Sequence, residues 1–319
     1  MTRSLCGLAL IACLVVEGAD LTKADIEKMM TDLSNWGRWG KADEIGTVNL
    51  ITPAKRKEAA ALVKEGYVVT LAHDTLTEKA ADNGNPFGHK MLSTGSNSKD
   101  GWFMDEFTVV FHGLAHTHLD SLAHTSWNGK MYNGFPQTAV TDKGATKLAV
   151  TGFRNGFFGR GVLVDIPRLK GVPYLEPGTA IYPADLEAWE KKTGVRVSSG
   201  DIVLIRTGRW ARRAEKGAWN PSRIAGLHAS CVRWLKQRDI AVAGSDACLD
   251  VLPSGVEGVV QPVHQLLLIA MGTPIFDNVD LEALSDAAAK KNRWTFLITA
   301  APTPVPGGTG SPLNPIAVF

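Results

Sequence analysis

Cysteine is scarce. The 319-residue chain holds four, and two of them, Cys6 and Cys13, fall in an apolar N-terminal run. A disulfide-dense scaffold is therefore excluded, and the absence of any C-x-x-C spacing argues against a zinc ribbon or a thioredoxin-like centre. Cys231 and Cys248 could bridge in an oxidising compartment, or stay as buried free thiols. Charge of one sign is also missing. Lys+Arg 34 against Asp+Glu 32 gives a net +2, so no global field points to nucleic acid, an anionic membrane surface or a polyanionic substrate. No apolar run is long enough to span a bilayer, and there is no internal repeat or low-complexity segment. A G-x-S-x-G elbow is absent too, and Gly95-Ser96 and Gly310-Ser311 lack a strand-to-helix context, which argues against a serine nucleophile. Gly307-Gly308-Thr309-Gly310 has no following Lys-Ser/Thr, so it reads as a turn rather than a phosphate loop.

What is present is an ordinary globular composition, 45% hydrophobic and 21% charged, able to bury a core. Arg3 followed by the apolar stretch Leu5 to Val16 has the form of a signal peptide over residues 1–19, cut after Gly18-Ala19. Leu10-Ile11-Ala12-Cys13 offers a lipobox-like alternative that would leave a lipid anchor. The expectation is export to the periplasm or beyond, or a cytoplasmic protein if the leader is kept. Residues 20–319 then read as one domain of mixed α/β order. Helices are expected near 23–34, 53–65, 183–193, 223–237, 262–271 and 280–291, from their caps, N1 prolines and stop glycines. Strands are expected at 67–72, 107–111, 162–166, 202–206, 240–243 and 294–299, mostly as continuous apolar runs buried on both faces. Residues 74–101, rich in Gly, Asn, Ser, Asp and Lys, read as a long loop that could act as a lid.

The chemistry concentrates in Phe111 to His124, where His112, His116, His118 and His124 make up four of the eight histidines. All four, with Asp120, stand at even positions, so an extended strand would turn them to one face. Neighbours two apart lie about 6.6 Å apart along such a strand, within reach of one cation, whereas His112 to Asp120 would span about 26 Å. The chain must bend if more than two or three share an ion. Imidazole with carboxylate and no thiolate suits Zn²⁺, Mn²⁺ or Fe²⁺. A whole group of imidazoles on one face without a metal or substrate would leave too much buried polarity. His73, His89 and His228 stand alone and read as ordinary surface or core histidines. Asp246, after a strand in Gly244-Ser245-Asp246, reads as a turn aspartate or a cleft residue. Trp36, Trp39, Trp102, Phe103 and Trp127 are candidates for an aromatic substrate wall.

Thr117-His118-Leu119-Asp120-Ser121-Leu122-Ala123-His124 resembles the core of the H-x-G-T-H-x-D-x-P-x-H motif of the cyclase family of metal-dependent hydrolases, which includes kynurenine formamidase and isatin hydrolase. The likeness continues in Asn35 to Gly40, Gly46 to Leu50, Met131 to Gly134, Gly200 to Gly208 and Gly310 to Pro315, and is similar to the family's larger branch. The motif departs at three places: its first histidine falls on Leu114, its glycine on His116 and its proline on Leu122. His118, Asp120 and His124 carry over directly. His116 stands in for the lost ligand, preferred to His112 by reach. By resemblance, His264 and Asp277 complete the metal site.

The resemblance implies an α/β fold with a swivelling or barrel-like β core and surrounding helices. It implies a divalent metal, Zn or Mn, as one or two ions on His116, His118, Asp120, His264 and Asp277, and self-association as a homodimer or homotetramer. The implied reaction is arylformamidase-like hydrolysis of a small amide, cyclic amide or lactone, with His124 as general acid/base. The alternative is an exported metal- or solute-binding protein without turnover.

Overall fold

The computed structural model describes residues 21–319, and the expected signal peptide at 1–19 lies outside them. Local signals start the helices where the side chains can satisfy their free N–H groups. Helix α1 (Lys23–Asp32) opens on a capping box between Thr22 and Asp25, and α2 (Pro53–Ala60) has Thr52 as cap and proline at its start. Further along come α3 (Ile166–Lys170), α4 (Pro183–Thr193), α5 (Arg209–Lys216), α6 (Cys231–Arg238), α7 (Pro262–Gln265) and α8 (Glu282–Lys291). Gly194, in the left-handed region, ends α4. The expected helix at 262–271 begins as α7 and widens into a π-helix over Leu266–Met271.

Nine strands form the main sheet: β1 (Val68–Thr70), β2 (His118–Asp120), β3 (Phe157–Asp165), β4 (Ile202–Arg206), β5 (Val242–Ser245), β6 (Ile275–Asp277), β7 (Thr295–Ala300), β8 (Gly310–Pro312) and β9 (Ile316–Val318). Their order across the sheet is β1-β9-β7-β3-β4-β5-β6-β2-β8. It curls into a half-barrel surrounded by the helices, the α/β arrangement expected. The centre, β3 to β6, is parallel. Every position of β4 and β5 is buried, which is why their sequences lack alternation. Antiparallel strands flank this block, and β2 lies between β6 and β8.

Three expectations are corrected. The strand expected at 107–111 is instead Met104–Thr108, which pairs with Gly88–Ser93. Together they form an exposed hairpin, so the apolar residues there do not enter the core. Residues 74–101 are thus not one long loop. The helix expected at 223–237 starts only at Cys231, because Gly226–Leu227 is held in a short parallel pairing with Ala180–Ile181. Among the described residues no helix is long and apolar enough to cross a membrane.

Candidate metal centre

Strand β2 supplies two of the residues. His118 and Asp120 sit two apart on one face of it, buried in the sheet. The extended geometry stops there: residues 112–117 form no strand. Gly113, at φ +143, lets the chain double back. This return replaces the 26 Å span of an extended chain by a contact, with His112 Nδ1 at 2.9 Å from Asp120 Oδ1. Gly310, on neighbouring β8, leaves the room, since a Cβ there would meet the His112 ring and the Leu119 carbonyl. The bend is secured from below. Asn278 Nδ2 donates to the Gly113 and His116 carbonyls, and buried Arg209 donates to Asn278 Oδ1 at 2.6 Å and to the Leu114 carbonyl.

The other half of the cluster arrives from distant sequence. The β6–β2 register sets Asp277 opposite His118. His264 lies in the first turn of α7, where the Asp250 carboxylate accepts from Val263 N, His264 N and His264 Nδ1, the last at 2.6 Å. With Nδ1 so engaged, Nε2 faces Asp277 Oδ2 at 3.1 Å and Asp120 Oδ2 at 3.6 Å. His118 is oriented in the same way, its Nδ1 donating to the His116 carbonyl at 2.8 Å and its Nε2 turned to Asp120 Oδ1 at 3.3 Å. His124 Nε2 stands 3.9 Å from Asp120 Oδ1, and its ring stacks on His112 with centroids 3.9 Å apart.

Asp120 is the hub. Its two oxygens face imidazoles of His112, His118, His124 and His264, yet neither has an aligned hydrogen bond, and Asp277 Oδ1 and His112 Nδ1 are likewise buried and unpartnered. Atoms this close that converge without bonding one another suit a shared cation between them. Two donor sets meet that description, His112-Asp120-His124 and His118-Asp120-Asp277, and both include Asp120. The electrostatics agree. Burial opposes the charged forms throughout, but the His118 charge and the contacts of His112 and His118 hold Asp120 well below the usual carboxylate range. Asp277 and Asp250 likewise outweigh burial and raise His264 well above an ordinary histidine. His124 goes the other way, lowered to about 4, mainly by burial.

His116 does not join the cluster. Among the described residues no pairing within 4 Å links it to Asp120, and its Nε2 donates to the Asn85 carbonyl at 3.3 Å. Reach along an extended strand favoured it over His112, and the turn at Gly113 removes that premise. Its main chain, not its ring, serves the site by holding His118. Asp250 and Asn278 were missed by sequence reading, since nothing local marks a carboxylate 14 residues before the histidine it orients. Replacing Asp250 by Asn is expected to weaken divalent-metal binding about 10- to 100-fold, the usual effect of losing a carboxylate behind a ligand histidine. Titration of metal into the apo variant checks this.

Of the five aromatic candidates, Trp127 lines a cleft of about 280 Å³ with His124, His264, Gln261 and Gln265. Trp127 and Trp36 line a neighbouring one of about 480 Å³. Trp39 lies under Arg38 at 4.6 Å. Trp102 and Phe103 stand on the exposed hairpin, away from both clefts. Asp246 lines no cleft either: it is buried and accepts from Thr207, Gly208 and Arg209. Cys231 and Cys248 are unpaired, and burial raises both thiols.

A family model described as Putative cyclase matches residues 86–249. Among solved structures, a novel cyclase superposes with a TM-score of 0.82 at 32% identity, covering 91% of this chain and 99% of its own. Isatin hydrolase A from Ralstonia solanacearum gives 0.55 at 22% identity, over 79% of this chain and 92% of its own. Isatin hydrolase A from Labrenzia aggregata, bound to benzyl benzoate, gives 0.56 at 20%, over 81% and 94%. The isatin hydrolases share the fold. No curated protein matches the chain.

Proposed function

This chain belongs to the cyclase family, and from that premise we propose that it is a metal-dependent hydrolase of a small amide, cyclic amide or lactone. The observation that carries the reading is Asp120, a buried carboxylate faced by imidazoles on both oxygens with no hydrogen bond to either. His112, His118, Asp120, His264 and Asp277 would hold one or two ions, and this imidazole and carboxylate set suits Zn²⁺ or Mn²⁺. Bound there, a divalent cation supplies Lewis acidity, which polarises a carbonyl and brings the pKa of water towards neutrality.

The chain's own groups do the rest. His124 borders the 280 Å³ cleft and is neutral at physiological pH, so it can accept a proton from the attacking water and return it to the leaving nitrogen or oxygen. Asp120 keeps it company at 3.9 Å and stabilises the imidazolium while it carries the proton. Trp127 offers a flat wall, and the amides of Gln261 and Gln265 offer hydrogen bonds to a polar substrate edge. The cleft's size limits the substrate to a small molecule. A cyclic amide such as isatin, named by two proteins of the same fold, fits this class.

The test is turnover of a panel of N-formylkynurenine, isatin and a dienelactone by metal-replete protein, with and without chelator. Hydrolysis of at least one is expected, lost on chelation and restored by Zn²⁺ or Mn²⁺. In His124→Ala, kcat should fall by about 10² to 10⁴ while an ion on the second donor set, His118, Asp120 and Asp277, stays bound. Turnover that survives complete metal removal would overturn the reading, and loss of all metal in the variant would make His124 a ligand rather than the general base.

A further inference from the structure

Two clefts meet at Trp127. One, of about 280 Å³, lies beside His124 and His264, and the other, of about 480 Å³, is walled by Met30, Trp36, Ile269 and Ala270. The first alone falls short of the roughly 300 to 1,000 Å³ that ordinary ligand pockets occupy. Both run along one helical segment. Gln265 borders the first and Ile269 the second, and residues four apart share a helix face, about 6 Å along the axis at roughly 1.5 Å per residue. The segment that carries the candidate ligand His264 therefore borders both clefts.

The far cleft has fixed walls. Its helical side is the π-helix Leu266–Met271, a widened turn of a kind frequent at functional sites. Three carbonyls at the end of this helix accept from one loop: Ile269 from Trp36 Nε1 at 2.7 Å, Ala270 from Asn35 N at 2.9 Å and Met271 from Asn35 Nδ2 at 2.8 Å. The Trp36 N–H is thus engaged while the residue stays 38% exposed. Trp127 is held as firmly. Asn128 and Gly129, at φ 47° and 77°, make a tight turn in which Trp127 and Lys130 exchange main-chain hydrogen bonds at 2.8 and 3.0 Å, and opposite residues of such a pair project to the same side. Lys130 is the one charged residue lining this cleft, and no acidic residue lines it.

We infer that the far cleft holds the part of the substrate remote from the bond that is cleaved, an apolar chain or second ring that ends in a carboxylate. On the hydrolase reading above, on which this rests, the head of the molecule sits beside His124 and His264, its middle crosses Trp127, and its arm lies between Trp36 and Ile269 with the carboxylate at Lys130. Burial of apolar surface gives the arm its affinity, and a lone cation on the lining sets the sign of its end. Binding energy from so remote a group serves to orient the head at the reacting centre. The substrate class is then an amide or lactone extended by a carboxylated apolar arm.

Calorimetric titration in the presence of chelator, which keeps a carboxylate from ligating metal, uses 6-phenylhexanoate and 6-phenylhexanol as probes. The wild type is expected to bind both, the acid about 3-fold more tightly. Thr31→Trp, which fills the cleft from α1, should weaken both by about 10-fold or more, and Lys130→Glu should reverse the preference. Both positions are exposed, so an unchanged far-ultraviolet circular dichroism spectrum certifies the fold of each variant. Failure of both probes to bind, an acid bound no better than the alcohol, or affinities that Thr31→Trp leaves untouched would overturn the inference. Turnover by metal-replete protein separates it from the hydrolase reading. Isatin carrying a 5-carboxypentyl chain on nitrogen should exceed isatin in kcat/KM by about 10-fold or more, and Thr31→Trp should bring that ratio near one. A ratio near one in the wild type overturns the arm site and leaves the hydrolase standing. No turnover of any panel compound, with both probes still bound at Thr31 and Lys130, overturns the hydrolase reading and supports the cleft as a site for such acids.

Discussion

Asp120→Asn is expected to lose both bound metal and activity. The carboxylate is the one group shared by the two donor sets, so its replacement by a neutral amide of the same shape weakens every ligand arrangement at once. An amide also brings an N–H₂ group towards the imidazole nitrogens of His112 and His118, which lie at 2.9 and 3.3 Å from Oδ1. Loss of Lewis acidity removes several kcal/mol of transition-state stabilisation, so kcat/KM should drop by about three powers of ten or more. Elemental analysis of the purified variant should find metal near background. His116→Ala is the matched control: its ring lies outside the cluster, and its metal content should equal the wild type's. Retention of metal by Asp120→Asn, or its loss from His116→Ala, would contradict this assignment of the hub.

The largest effect on stability is expected away from the metal, at Asp246. Its buried carboxylate accepts from Thr207 N, Gly208 N and Arg209 N, at 2.7 to 3.2 Å, and from Thr207 Oγ1 at 2.7 Å. It ties the end of β5 to the turn that leads from β4 into α5, and α5 opens with the arginine that fixes Asn278. Alanine would strand these donors where water does not reach. At about 1–3 kcal/mol for each unsatisfied group, the sum is several kcal/mol, which in a domain of this size lowers Tm by about 10 °C. Asn, which keeps an acceptor oxygen, should lie between. Thermal unfolding of apo protein measures this without interference from metal binding. A shift under about 2 °C for Asp246→Ala would show that the turn finds other partners.

Helix starts at Thr22 and Thr52 and the buried parallel strand Ile202–Arg206 were legible because each depends on its own residues: a capping oxygen, an N1 proline, an unbroken apolar run; the strand expected at 240–243 lies two residues later, at Val242–Ser245. The strand expected at 107–111 is misplaced into the core for the same reason, since apolar composition reports a need for burial without naming what supplies it, and the strand found there, Met104–Thr108, is exposed.

The sequence by itself determined that the chain carries a dense histidine and aspartate segment without a thiolate, and the family motif around His118, Asp120 and His124 pointed to metal chemistry. These follow from residue type and from spacings of two and four, which survive in any fold. Only the tertiary structure decided which side chains meet. A left-handed turn at Gly113 brought His112 to Asp120 and left His116 outside. Cross-strand register set Asp277 beside His118, and a capped helix start turned His264 onto the same point through Asp250. The physical reason is that a metal site is a convergence of atoms within a few ångströms. One backbone torsion or one strand register moves a side chain by more than that, and neither is written in the local sequence.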